Sequence, residues 1–103
     1  MQSEVTTTAT TVTTSRFPLG QMVMTQGAAA ALEDAAQSPF EFLSRHQRGD
    51  WGDVCEDDRR ENELSLRQGF RLLSVYRTKE GVKLYVITEH DRSITTLLRS
   101  DEY

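Results

Sequence analysis

Several features that mark familiar classes of protein are scarce in this chain of 103 residues. It has a single cysteine, Cys55, so an intramolecular disulfide and a zinc site built from several cysteines are both excluded. It has no run of about 18 apolar residues, the length that a membrane-spanning helix needs, and no apolar signal-peptide region at its N-terminus. These absences predict a cytoplasmic protein with no membrane partner, whose fold depends on packing alone.

The motifs of common catalytic and metal sites are missing as well. No glycine-rich phosphate loop, no Gly-x-Ser-x-Gly turn and no His-Glu-x-x-His helix occurs in the sequence. The carboxylates that follow Asp50 do not fit a calcium loop, because Gly52 and Val54 occupy positions at which such a loop needs oxygen ligands. We therefore predict neither a metal nor a cofactor.

A small enzyme remains as one alternative. Cys55 lies near a predicted helix start, and a thiolate beside an imidazole is a good nucleophile, so Cys55 with His46 or His90 is the candidate pair. The sequence identifies no third orienting group and no oxyanion hole for that pair. A lone cysteine is more often a small buried hydrophobic residue, so a protein without catalytic residues is favoured.

The residues that are present indicate a small α+β protein. Residues 1–15 contain seven threonines and only two valines, which predicts a disordered threonine-rich tail ahead of a single domain at 16–103. Periodicity and turn residues predict a short strand at 21–25, helices at 28–36, from 39 and at 53–68, and strands at 70–77, 82–88 and 93–98. We expect a three- to four-stranded antiparallel sheet, covered on one face by two or three helices.

The clearest local signal is the start of the second helix. Ser38 is expected to cap this helix and Glu41 to complete a capping box. The stripe facing the core is predicted to contain Phe40, Leu43 and Gln47, with Phe42 and His46 beside it.

Charge is distributed unevenly in a chain of net charge −4. Residues 50–63, here called the acidic segment, hold seven carboxylates and two arginines. Such a surface orients and steers a basic partner more than it adds affinity. The predicted partner-binding residues are Asp50, Trp51, Asp53, Glu56, Asp57, Asp58 and Glu61. Trp51 has two interpretations. It is either a core plug that closes the junction between the helix from 39 and the helix at 53–68, which is favoured, or an exposed anchor for the partner.

A second alternative assigns the function to residues 67–99, here called the basic half of the chain. This range contains seven basic and three acidic residues. Mild overall acidity argues against a general nucleic-acid binder, although a local basic face on the sheet remains compatible with one. The candidate residues for nucleic-acid binding are Arg71, Arg77, Lys79, Lys83 and Arg92.

A set of short motifs carries a resemblance to a known family. The motifs are Phe17 to Gln21, Arg45-His46 before Gly49 to Gly52, Asp58, Glu61-Asn62, Gly69, Ser74-x-Tyr76, Ile87-Thr88-Glu89-x-Asp91-Arg92-Ser93, Thr95-Thr96 and Glu102-Tyr103. Over residues 17–103 they resemble a small family of plasmid-related proteins of plasmids and integrative elements. Some of its members carry the label of the M subunit of a type I restriction enzyme, which is far too large to be this chain. Gln26, His90 and Ser100 depart from the family pattern.

The resemblance implies no catalytic residue. The mobile-element context implies a small protein that binds and blocks a host defence complex, such as an anti-restriction or anti-CRISPR inhibitor. The leading hypothesis is thus a non-enzymatic binding protein, a monomer or homodimer. It would act on a protein partner, such as a host defence nucleoprotein complex, through the acidic segment, with a nucleic-acid-binding regulator as the alternative.

Overall fold

The computed structural model describes residues 15–103. The predicted threonine-rich tail therefore lies outside the described residues, apart from Ser15.

The described part of the chain forms a four-stranded sheet and three α-helices. In chain order the elements are β1 (Gln21–Met24), α1 (Gln26–Ala35), α2 (Pro39–Gln47), α3 (Glu56–Gln68), β2 (Leu72–Arg77), β3 (Lys83–Thr88), β4 (Ile94–Arg99) and a final 3₁₀ helix (Ser100–Glu102). The sheet has the order β1-β4-β3-β2. This architecture confirms the predicted α+β class.

One strand differs from the prediction of a wholly antiparallel sheet. The pairs β2–β3 and β3–β4 are antiparallel, as the predicted meander requires, but β1 runs parallel to β4. The chain between β1 and β4 passes through all three helices and two strands, so β1 returns to the sheet by a long crossover and not by a hairpin.

The helices pack on one face of the sheet. Because side chains alternate along a strand, the buried residues Tyr76, Leu84, Val86 and Leu97 share a face. They form one cluster with α1 and α2, through Ala28, Ala31, Leu32, Phe42 and Leu43. A second cluster joins Leu72 of the same face to Phe17 and Trp51, with Leu66 of α3 against it.

Helix α2 begins as predicted but is rotated relative to the predicted stripe. Ser38 accepts a hydrogen bond from the backbone N–H of Phe40, whereas Glu41 accepts one from the side chain of Gln37, so the predicted capping box is wrong. Phe42 is buried, and Phe40, which lies about 200° away around the helix axis, is 61% exposed. The placement of Phe40 in the core stripe was therefore wrong.

Helix α3 is held by polar contacts more than by an apolar stripe. Its buried residues are Asn62 and Ser65, and Gly69 ends it in the left-handed conformation, which confirms the predicted stop. No helix in the range 15–103 is long and apolar enough to cross a membrane.

Candidate functional site

The two edge strands of the sheet differ in whether their outward backbone groups have hydrogen-bond partners. At the β2 edge, the Asn62 side chain donates to the Leu73 carbonyl at 2.7 Å and accepts from the Leu73 N–H at 3.0 Å. Further along, Val75 exchanges backbone hydrogen bonds with Trp51 and Asp53. This covers an edge that otherwise offers unpaired backbone groups to other chains.

Gly52 allows residues 51–53 to approach the backbone of Val75. It has a φ of +76°, and a β-carbon at this position would lie 2.0 Å from the carbonyl oxygen of Val75. Only glycine allows so close an approach in this conformation.

The opposite edge, β1, is open in the part of the chain that the structure describes. Gln21 and Thr25 donate their backbone N–H groups to Ser93 and Leu97, on the β4 side. Because these groups alternate along a strand, the N–H and C=O groups of Met22 and Met24 face away from β4. No other strand among residues 15–103 pairs with them.

An apolar groove lies beside this open edge. It has a volume of about 240 Å³ and is lined by Met22, Val23, Met24, Pro39, Phe40, Leu43 and Leu97. We call it the β1 groove. Its lining residues are all apolar, and the three from β1 are each more than 40% exposed. Met22 and Met24 share the face of Leu97, whereas the side chain of Val23 projects from the opposite face of the sheet.

The part of the chain that supplies most of the β1 groove carries charge of one sign. Residues 17–44 contain three carboxylates, on Glu33, Asp34 and Glu41, and no basic residue. At the end of β1, Glu102 accepts hydrogen bonds from the Thr25 hydroxyl, at 2.7 Å, and from the Gly27 N–H. The hydrogen bond from Thr25 is the main reason that the pKa of Glu102 lies below its usual value.

The acidic segment is less negative in the fold than in the sequence. Three arginines from outside it pair with its carboxylates, and the pairs are Arg16–Glu63 at 2.9 Å, Arg45–Asp50 at 2.8 Å and Arg77–Asp53 at 3.5 Å. The hydrogen bonds from Arg45 and Arg16 lower the pKa values of Asp50 and Glu63, respectively. Folding thus neutralises part of the predicted patch.

The remaining acidic residues lie on α3. Glu56 and Asp57 form ion pairs with Arg59 and Arg60, the two arginines of the same helix. Asp58 and Glu61 are exposed and have no ion pair within the described range. The carboxylates free to meet a partner are therefore few.

Trp51 is a core residue, which decides between its two interpretations. Its side chain is 3% exposed, stacks near Phe17 at 6.3 Å between ring centroids, and donates its indole N–H to Glu63 at 3.0 Å. A ring enclosed in this way cannot touch a partner in the folded protein, so its assignment as a partner-binding residue was wrong.

The five basic candidates do not form one free surface. Arg92 is half-buried, its guanidinium donates to the carbonyls of Phe70 at 2.6 Å and Ser65 at 3.0 Å, and burial lowers its pKa. These hydrogen bonds give Arg92 a structural role, and its assignment to nucleic-acid binding stays a prediction. Arg71 donates to the hydroxyl of Tyr103.

The other three basic candidates lie at one end of the β2–β3 hairpin. Arg77 pairs across the two strands with Lys83, and Lys79 lies in the connecting turn. Arg77 also faces Asp53. Of these three, Lys79 and Lys83 have no ion pair within residues 15–103.

The residues of the small-enzyme alternative are separated by burial. His46 is fully buried, with Nδ1 2.6 Å from the Ser74 hydroxyl and Nε2 2.9 Å from the Thr88 hydroxyl. Both ring nitrogens are thus occupied, while Cys55 is exposed at the start of α3 and His90 is exposed in the β3–β4 turn. His46 therefore cannot be the base that activates Cys55. No group of three or more histidine, cysteine or acidic residues within 15–103 is arranged to hold a metal ion.

The β1 groove was not predicted from the sequence. Phe40 was expected in the core, and the apolar run Met22 to Met24 was expected to form a strand, with no prediction of the sheet edge that this strand leaves open. The available signal was the absence of charge between Phe17 and Leu32, combined with an aromatic residue in the first turn of α2.

Comparisons with protein-family models, with curated proteins and with solved structures find no match to this chain. The resemblance to plasmid-related proteins therefore stays a prediction.

Proposed function

We propose that this chain is a non-enzymatic, cytoplasmic binding protein that contacts a protein partner through the β1 groove. One observation carries the proposal: Phe40 and the side chains of Met22 and Met24, which share the face of Leu97, are exposed together around an apolar groove. Single exposed hydrophobic residues are common on protein surfaces, but contiguous apolar patches mark interaction sites.

The acidic segment has a supporting role in this proposal. The exposed carboxylates of Asp58 and Glu61 lie on α3, which packs at the β2 end of the sheet, whereas the groove lies at the β1 end. Exposed charges of this kind change association rates and orientation more than affinity. We therefore expect the groove to supply most of the binding energy.

The resemblance to plasmid-related proteins supports the choice of partner. Proteins of mobile elements meet host defence systems, and a small binding protein without a catalytic site can block such a system by occupying a surface. The partner we propose is accordingly a host defence nucleoprotein complex, with this chain as an anti-restriction or anti-CRISPR inhibitor.

The test compares two surface variants for binding to a purified defence complex identified by affinity capture. Phe40→Asp places a charge in the groove, and its effect on the fold should be small because the side chain is largely exposed. We expect it to weaken binding at least 30-fold, as loss of about 2 kcal/mol at an aromatic anchor does.

The matched control is the double variant Asp57→Lys with Asp58→Lys, which should retain affinity within a few-fold. If Phe40→Asp binds like the wild type while the lysine variant does not, the acidic segment is the binding surface and the groove is not. Thermal unfolding of each variant establishes that the fold is intact.

A further inference from the structure

The open edge of β1 offers more than an apolar surface. The N–H and C=O groups of Met22 and Met24 point away from β4 and can form hydrogen bonds with a further strand. An extended chain that pairs with β1 would provide partners for all of them. The groove adjoins the same strand, so a chain paired with β1 places alternate side chains into it.

We propose that the β1 groove receives an extended segment of the partner, added to the sheet as a strand, with apolar side chains at two alternate positions and basic residues beside them. This inference rests on the proposed function, since it names the part of the partner that fills the same site.

The unequal protection of the two edges supports strand addition. The β2 edge is covered by Asn62 and by residues 51–53, and natural sheets protect exposed edges with charge, proline or a covering loop. The sequence of β1, Gln-Met-Val-Met, contains no charge and no proline. An unprotected apolar edge next to a groove is the arrangement that peptide-binding sheets present.

The length of β1 sets the length of the added strand. Four residues of β-strand span about 13 Å, so four to five residues of the partner can pair with β1. Two of them point to the groove side, where Phe40 and Leu43 lie. This geometry requires two apolar side chains separated by one residue.

The charge around the groove favours a basic segment. Residues 17–44, which supply six of the seven lining residues, carry only carboxylates, and Glu102 lies at the end of β1 beside Arg99 of β4. Lysine or arginine residues that flank the apolar pair therefore meet charge of opposite sign.

A second copy of this chain fits the groove less well. A second copy has the same carboxylates and a net charge of −4, so it would be repelled by the carboxylates of residues 17–44. A stable protein–protein interface uses roughly 20–30 residues on each side, whereas seven residues line the groove. The short extended segment is thus the occupant that both charge and size support.

The experiment uses a fluorescent eight-residue peptide, Lys-Lys-Thr-Val-Thr-Val-Thr-Lys, and a version with glutamate in place of each lysine. Met24→Pro removes an N–H that points away from β4, so it blocks strand addition while the β1–β4 hydrogen bonds remain. Met24→Ala is its matched control, because it shortens the same side chain and keeps the N–H group.

We expect the basic peptide to bind at least tenfold more tightly than the acidic one, and Met24→Pro to bind it at least tenfold more weakly than Met24→Ala. Amide exchange of Met22 and Met24 should slow when the peptide is bound. If Met24→Pro and Met24→Ala bind equally, strand addition is refuted, while loss of binding by Phe40→Asp still upholds the groove as the site.

Three other results overturn the inference. The first is that the acidic peptide binds as well as the basic one, and the second is that neither peptide binds detectably. The third is that light scattering shows a wild-type dimer which Met24→Pro converts to a monomer. The last result makes a second copy the occupant. The proposed function fails separately, when Phe40→Asp leaves binding of the defence complex unchanged.

Discussion

His46 links two layers of the protein through hydroxyl groups. From α2 it reaches Ser74 on β2 and Thr88 on β3, and Thr88 in turn contacts Thr95 on β4 at 2.7 Å. The hydroxyl of Thr95 donates to the carbonyl of Leu19. A buried polar chain of this kind is stable only when each member has partners, which these contacts provide.

The same enclosure makes His46 sensitive to acid. Burial, assisted by the positive charge of Arg92, lowers the pKa of His46 to about 3. In the unfolded chain a histidine has a pKa near 6.5, so between these two values the unfolded state binds a proton that the folded state does not. Neutral His46 therefore makes its full contribution to the free energy of unfolding above about pH 6.5, and this contribution is lost as the pH falls toward 3.

We predict that the free energy of unfolding falls by up to about 1.4 kcal/mol per pH unit below pH 6.5. Urea denaturation between pH 7.5 and pH 5 measures this slope, above the range in which carboxylates such as Asp50 and Glu63 titrate. His46→Gln should flatten the slope and lower stability at pH 7.5.

His90→Gln is the control, since it changes the exposed histidine of the β3–β4 turn. It should keep the slope of the wild type. A slope that survives in His46→Gln and vanishes in His90→Gln would contradict the assignment.

At the scale of elements, α3 acts as a cover for a strand edge. Its apolar contribution is small, and Asn62 supplies both a donor and an acceptor to the backbone of Leu73. A side-chain amide thus stands in for the strand that β2 lacks on its outer side.

We predict that Asn62→Ala destabilises the fold by about 2 kcal/mol, because it leaves the N–H and C=O of Leu73 without their partners. Urea denaturation measures the loss, and hydrogen exchange at the Leu73 amide should become faster. Glu61→Ala, at the adjacent exposed position, should change stability by less than about 0.5 kcal/mol. Equal effects of the two substitutions would show that Asn62 does not cover the edge.

Local signals predicted the elements well. Gly69 was predicted to end α3 and does so in the left-handed conformation, and Ser38 was predicted to cap α2 and does. Such features depend on residues that are neighbours in sequence, and their chemistry is readable there.

Features that depend on distant parts of the chain were harder to predict. The parallel pairing of β1 is set by where the crossover returns it to the sheet, and the exposure of Phe40 by how α2 rotates to bury Phe42. The β1 groove combines both, because it forms where β1 and α2 meet. The partners of Arg16 and Arg45 likewise follow from tertiary contacts, so the acidic segment looked more negative in the sequence than it is.

At the scale of the whole molecule, folding mixes the two signs of charge. Arg77 of the basic half reaches Asp53 of the acidic segment, and the half-buried Arg92 donates to the carbonyl of Phe70. What remains for a phosphate backbone is chiefly Lys79 and Lys83, at one end of the β2–β3 hairpin, and Arg71, which donates to the hydroxyl of Tyr103. Nucleic-acid binding depends on neutralising several phosphates at once, which three basic side chains do poorly.

We therefore predict that the protein does not retard a duplex DNA or a single-stranded RNA in gels at low salt, and that Lys79→Glu with Lys83→Glu behaves like the wild type. Arg92→Ala should instead lower the free energy of unfolding, since it leaves the carbonyls of Ser65 and Phe70 without a donor. Retardation that weakens steeply with salt, and that the double glutamate variant abolishes, would restore the nucleic-acid alternative. The basic half would then be a binding surface in its own right, and the β1 groove would have to be tested as a site for a second partner.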